Sequence, residues 1–208
     1  SEETGLKTIT SGKGVWLYDE KDQPWYDATS CLWLVNLGHG RTEIAQAAYE
    51  QMKQISFTPM GSVSPPTAKL SAKIASVAPD KDSRVFFVSG GAEANETALK
   101  MARKYHINNG EATRFKVISR INSYHGATHA TMSLGGGTRS PHEFEPLMTG
   151  SIKIANYDSY RYGFSTKSED EASSEYAKDL ERAILAHNPS TVSAFIAEPI
   201  SAATGIHV

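Results

Sequence analysis

Three short stretches of this sequence carry residues that could handle a ligand. Ser89-Gly90-Gly91-Ala92 follows an apolar run, Val85 to Val88, and leads into a helical pattern. A glycine turn ahead of a helix start aims unpaired amide N–H groups and the positive end of the helix dipole at one point, which suits a phosphate. Tyr124-His125-Gly126 offers an aromatic plane and an imidazole, and Glu198-Pro199 offers a carboxylate. Side by side they would make an anion cradle, a stacking surface and an acid, a set suited to a flat, phosphorylated, nitrogen-containing ring. The glycine stretch is not a nucleotide P-loop or a dinucleotide fingerprint: no Lys-Ser/Thr follows the second Gly, and Gly-x-Gly-x-x-Gly is absent. Each stretch also has a plain structural reading. The first is equally a tight strand-to-helix turn of any α/β protein. Tyr124 reads as a capped core tyrosine, and Glu198 as an ordinary strand-end carboxylate. His125 and His129 are four apart, as metal ligands on a helix face would be, but no Glu follows His125 and no third ligand is evident. No metal site is expected.

The surrounding pattern predicts the elements that would hold these residues. Val85 to Val88 reads as a buried parallel strand. From Ala92 a helix is expected, with Ala94, Ala98, Met101, Ala102 and Tyr105 on one face, ended by Asn108-Asn109-Gly110. Phe115 to Ser119 and Val192 to Ala197 read as further apolar strands, and Ile152 to Ala155 as another candidate. A short helix is expected over Ala127 to Leu134, ahead of Gly135-Gly136-Gly137, and a longer one over Glu171 to His187, stopped by Asn188-Pro189. Upstream, Val15 to Tyr18 and Trp25 to Ala28 suggest a small meander. Thr42 is placed to cap a helix through Ile55, and a second helix carries Leu70, Ile74 and Val77 up to Pro79. The stretch Thr29 to Arg41 is unusually apolar for a loop, with Cys31, Leu32, Trp33, Leu34, Val35 and Leu37 before Gly38-His39-Gly40. Such a loop is either buried under another surface or lines a pocket, and for Trp33 the two readings stand level.

Alternating strands and helices give an α/β expectation: a mostly parallel sheet with helices on both faces and ligands at the carboxyl ends of its strands. Residues 1–56 are expected to form an N-terminal meander, pocket loop and first helix, and residues 57–208 the first part of a larger domain. The chain has 208 residues, 39% hydrophobic and 21% charged, the balance of a folded protein. A net charge of −2 gives no electrostatic case for nucleic acid or an anionic membrane surface. Cys31 is the sole cysteine, so no internal disulfide forms, and no run approaches membrane-spanning length. With an acidic start lacking an apolar leader core, a soluble cytoplasmic protein is expected.

The run Phe-Phe-Val-Ser-Gly-Gly-Ala-Glu-Ala-Asn-Glu-Thr-Ala-Leu-Lys, the later Tyr-His-Gly and Ala-Glu-Pro-Ile, and the early Leu-Trp-Leu-Val-Asn-Leu-Gly-His-Gly-Arg together resemble the class III aminotransferases, in that family's order. The resemblance implies the large-domain fold of fold-type I pyridoxal 5'-phosphate enzymes. It also implies transamination between an amine or ω-amino acid and a 2-oxo acid. Gly91 and Ala92 match the pair whose amides hold the cofactor phosphate, with Ala where Ser is frequent. Tyr124 matches the aromatic that stacks on the pyridine ring, with His125 and Gly126 shaping the turn beneath it. Glu198 matches the glutamate at the cofactor's edge, and Leu32 and Trp33 match the wall of the substrate pocket. The family's Schiff-base lysine and its pyridine-nitrogen aspartate both lie after the Glu-Pro strand, so this sequence is expected to be an N-terminal half. Lys100 and Lys104 sit in the wrong context, no residue here is assigned to catalysis, and the isolated chain is expected to be inactive. The family forms homodimers, with contact expected at Cys31 to Leu37 and Phe57 to Met60. Arg41 and Arg139 are candidates for a substrate carboxylate. Decarboxylation, racemisation or aminomutase chemistry on the same fold, and a non-catalytic phosphate-ligand module, remain alternatives.

Overall fold

The computed structural model describes residues 5–136, 141–158, 167–202, 205 and 206. Two compact units emerge, Ser1–Val85 and Phe86–Val208, so that residues 57–85 group with the N-terminal part. Among the described residues no helix is long and apolar enough to cross a membrane.

In the N-terminal unit, β1 (Ile9–Lys13), β2 (Trp16–Asp19) and β3 (Pro24–Tyr26) form an antiparallel sheet in that order. β1 has little apolar character of its own and is held by pairing with β2. Asp19 fixes the β2–β3 turn: its carboxylate accepts the Lys21 and Gln23 N–H groups at 2.9 Å each and the Trp25 indole at 3.0 Å. One helical turn, α1 (Ser30–Trp33), winds left-handedly, with φ of 49, 48, 58 and 67°. Then come α2 (Thr42–Gln54) and α3 (Pro65–Val77). Arg41, not Thr42, occupies the N-cap of α2, and no side chain caps it. α3 starts on its two prolines, at positions where the missing N–H would have had no intrahelical partner anyway.

The second unit runs α4 (Gly91–Asn108), β4 (Lys116–Arg120), α5 (His129–Leu134), β5 (Ser151–Ile154), α6 (Glu169–Ala186) and β6 (Val192–Ile196). Its sheet has the order β5-β4-β6, and both pairings are parallel. This is an α/β unit with a parallel sheet. Ile118 of β4 is fully buried against Ile152 and Ile154, and Leu180, Ala183 and Ile184 on one face of α6 pack on the cluster. Burying one such isoleucine is worth about 1.5–3 kcal/mol. α6 begins earlier than the apolar pattern suggests, because Ser168 and Glu171 form a reciprocal cap: Ser168 N–H to the Glu171 carboxylate at 2.9 Å, and Glu171 N–H to Ser168 Oγ at 3.3 Å.

Val85 to Val88 does not form the expected buried strand. Its residues pair with no strand among those described, and Phe86 is 69% exposed. The three strands of the unit's sheet pair among themselves in the order β5-β4-β6. An apolar, β-branched run prefers a sheet neighbour; without one it has no intrinsic reason to be a strand. Gly137, read as part of a glycine loop after α5, lies outside the described residues.

Candidate cofactor site

β4 and β6 are parallel neighbours, so the segments that follow them emerge at one edge of the sheet. After β4 comes the Tyr124-His125-Gly126 turn, and after β6 comes Glu198. The two meet: the Tyr124 N–H lies 3.4 Å from a Glu198 carboxylate oxygen, to which Ser201 Oγ also donates at 3.2 Å. Arg120, at the end of β4, donates to the Glu198 main-chain carbonyl at 3.3 Å and lies over the Tyr157 ring at 4.2 Å. Glu198 is therefore no isolated strand-end acid. Its nearby cation comes from a neighbouring strand, invisible to a scan of adjacent sequence.

The start of α4 joins the same cluster. Gly126 has φ +134°, and a Cβ there would stand 2.7 Å from Ala92 Cβ and 2.6 Å from Thr131 Oγ1, so only glycine fits. Asn95 Nδ2 donates to the His125 carbonyl at 2.7 Å, and Thr128 Oγ1 donates to Glu96 at 2.7 Å. Ala92, Tyr124 and Glu198 thus belong to one cluster rather than to separate surfaces. The first ladder bond of α4 runs from Ala94 N–H to Gly90 O at 3.0 Å, and no side chain caps the helix. The Gly91, Ala92 and Glu93 N–H groups therefore precede the intrahelical ladder. Glu93 turns its carboxylate back onto the Ser89 N–H at 2.7 Å, a bond that lowers its pKa. The turn itself does not demand glycine, since Gly90 is extended. A Cβ on Gly91 would meet nothing within 4 Å, so the turn is not crowded at that position.

Tyr124 is 44% exposed in this chain, where a core tyrosine would be buried. His125 is the buried member of the pair, 6% exposed, and its Nε2 has no hydrogen-bond partner among the described residues. Burial, with Lys153 and Arg120 nearby, pushes its pKa down to about 4, so the imidazole is neutral at pH 7. His129 begins α5 and hydrogen-bonds the Pro146 carbonyl at 2.8 Å, whereas His125 precedes the helix. Their spacing of four is therefore not helical. Arg120 and Glu198 also line a cavity of about 630 Å³ with Tyr157, Tyr176 and Phe195.

Leu32 and Trp33 belong to the N-terminal unit, where they are 68% and 58% exposed on α1. Within the unit nothing covers that loop, since none of its described residues is fully buried. The left-handed turn is held by Asp27, whose Oδ1 accepts the Cys31 N–H at 3.0 Å and the Thr29 N–H at 3.3 Å. Its Oδ2 pairs with His39 Nε2 at 2.8 Å. These bonds, the Cys31 amide first, bring the Asp27 pKa down to about 2. Cys31 Sγ lies 3.9 Å from the same His39 nitrogen. Thiol and carboxylate thus face one ring atom, which is not the arrangement of a nucleophile, base and orienting acid. Arg41 is engaged by Glu43 and by the Leu37 carbonyl at 2.9 Å. Arg139 lies outside the described residues.

The family model for class III aminotransferases matches residues 1–208. The chain is 39% identical over 209 residues to the putrescine–pyruvate aminotransferase of Pseudomonas aeruginosa, covering 99% of this chain and 45% of that protein. It is 31% identical to an omega-aminotransferase of Caulobacter vibrioides, covering 96% and 46%. Among solved structures it matches an (S)-enantioselective omega-transaminase from Thermomicrobium roseum with a TM-score of 0.92 at 36% identity, covering 99% of this chain and 46% of that one. It matches the Pseudomonas jessenii omega transaminase in complex with PMP at 0.94 and 32%, covering 100% and 46%. The chain thus spans a little under half the length of these relatives.

Proposed function

The chain belongs to the class III aminotransferases, and from that premise we propose that it supplies the first part of a pyridoxal 5'-phosphate-dependent transaminase. The reaction moves an amino group between an amine or ω-amino acid and a 2-oxo acid. Its relatives' names support the reaction class, and the cluster at the start of α4 supports this site for the cofactor. When bound, pyridoxal 5'-phosphate contributes a ring that withdraws electrons from the carbon bearing the amino group.

The residues fit that group. The Gly91 and Ala92 amides, ahead of the helical ladder, would hold the phosphate dianion at the positive end of α4. Tyr124 is half-exposed and so free to stack, and the next residue, His125, is buried and neutral. Glu198, held by Ser201, would stand at the cofactor's edge. These groups bind and orient rather than break bonds. Leu32 and Trp33 are assigned to substrate contact. On this reading residues 57–208 open the cofactor-binding domain, a mostly parallel sheet with helices on both faces like the large domain of fold-type I enzymes. Residues 1–56 carry the meander and pocket loop. A homodimer meeting at Cys31–Leu37 and Phe57–Met60, in the cytoplasm, completes the proposal.

The observation that carries it is the convergence of Ala92, Gly126, Tyr124 and Glu198. Full-length protein incubated with pyridoxal 5'-phosphate, an amine donor and pyruvate is expected to yield alanine and the corresponding carbonyl product. Release of carbon dioxide or a racemised donor without alanine would instead favour another reaction on the same fold.

A further inference from the structure

We propose that Asn95 is the positioning residue that sets the distance between the phosphate cradle and the ring platform, a role that rests on the cofactor reading above. The cradle amides sit on α4, while Tyr124 sits on the turn between β4 and α5, some thirty residues on. α4 is a continuous helix of 18 residues, so Gly91, Ala92 and Asn95 move as one piece. Asn95 lies about one turn beyond Gly91. Its side-chain amide donates at 2.7 Å to the carbonyl of His125, the residue directly after Tyr124. One hydrogen bond therefore joins the helix that would grip the phosphate to the turn that would carry the ring.

Attraction alone would not fix a spacing. The opposing stop is the contact of Ala92 with Gly126, already so close that a Cβ on Gly126 would lie 2.7 Å from Ala92 Cβ. The Glu96–Thr128 bond, also 2.7 Å, holds the far side of the same turn. The run Ala-Glu-Ala-Asn-Glu after the glycines thereby acquires a physical use. Ala92 is the stop, Glu93 holds Ser89, Asn95 draws in the Tyr-His-Gly turn, and Glu96 steadies its far end. A ligand touching only the cradle does not sense the spacing. A ligand spanning phosphate and ring does.

The test compares full-length wild type with Asn95→Ala and Asn95→Asp, using Lys100→Ala on the same helix as control. Two probes are titrated separately: inorganic phosphate, which needs only the cradle, and pyridoxamine 5'-phosphate, which needs both parts. The expected result is inorganic phosphate affinity unchanged within about twofold and pyridoxamine 5'-phosphate weakened about tenfold, the effect of one hydrogen bond. Asn95→Asp, which turns an acceptor toward a carbonyl, should lose at least as much, and Lys100→Ala nothing. The induced circular dichroism of the bound ring should fall in the Asn95 variants even at saturation. Equal weakening of both probes, or pyridoxamine 5'-phosphate binding unmoved, overturns the role of Asn95 alone. Failure of the wild type to bind pyridoxamine 5'-phosphate overturns the site itself, and this role with it.

Discussion

Replacing His125 with glutamine removes an imidazole that the fold holds neutral. In the folded protein its pKa is lowered to about 4, chiefly by burial and secondarily by Lys153 and Arg120. In the unfolded chain it titrates near 6.5. As pH falls, the unfolded state takes up the proton first. The stability that accompanies the neutral imidazole is therefore complete above about pH 6.5 and drains away as pH drops toward 4. Between pH 7 and 4.5 this one group should cost folding roughly 2 kcal/mol. Asp27, with a pKa of about 2, loses its contribution only below that window. The assay is urea unfolding followed by far-ultraviolet circular dichroism, on full-length wild type and His125→Gln at both pH values. Subtracting the two proteins cancels the other titrating groups. The variant should lose about 2 kcal/mol less than wild type on acidification. Equal losses, or a His125 ring titrating near 6.5 by NMR in the folded protein, would refute the reasoning.

Gly126→Ala should destabilise by about 3 kcal/mol, combining an unfavourable φ with overpacking against Ala92 and Thr131. Adding Ala92→Gly should restore only part of it, since the Thr131 contact and the backbone strain remain; thermal unfolding reads both. Cys31→Gly should stabilise by about 0.5–1 kcal/mol, because residue 31 sits at φ 48° and glycine relieves that strain at some cost in chain entropy. An unchanged or lowered melting temperature would count against the left-handed turn.

Much of the second unit was legible because its signals are local. The buried isoleucines of β4 and β5 and the Leu180-Ala183-Ile184 stripe are short-period patterns, and each appears where its residue types point. Ser168-x-x-Glu171 is as local a signal as the apolar stripe, and it starts α6 ahead of that stripe, at Glu169. Val85 to Val88 has strand-like residue types but pairs with no described strand, and residue type alone does not supply the neighbour a strand needs. The site shows the same divide. Gly91, Ala92, Tyr124 and Glu198 stand out by type and context, but the bonds joining them reach across long sequence separations. Asn95 to His125 and Arg120 to Glu198 carry no local signature. Nor does the run Ser30 to Trp33 announce a left-handed turn, because none of its residues is glycine. That conformation is held from outside by Asp27.

The most direct test of the account is a crystal structure of the full-length protein with pyridoxamine 5'-phosphate bound. The phosphate should rest on the Gly91 and Ala92 amides, with the ring stacked on Tyr124 and Glu198 at its edge. A phosphate held elsewhere, with the start of α4 facing only solvent, would contradict it.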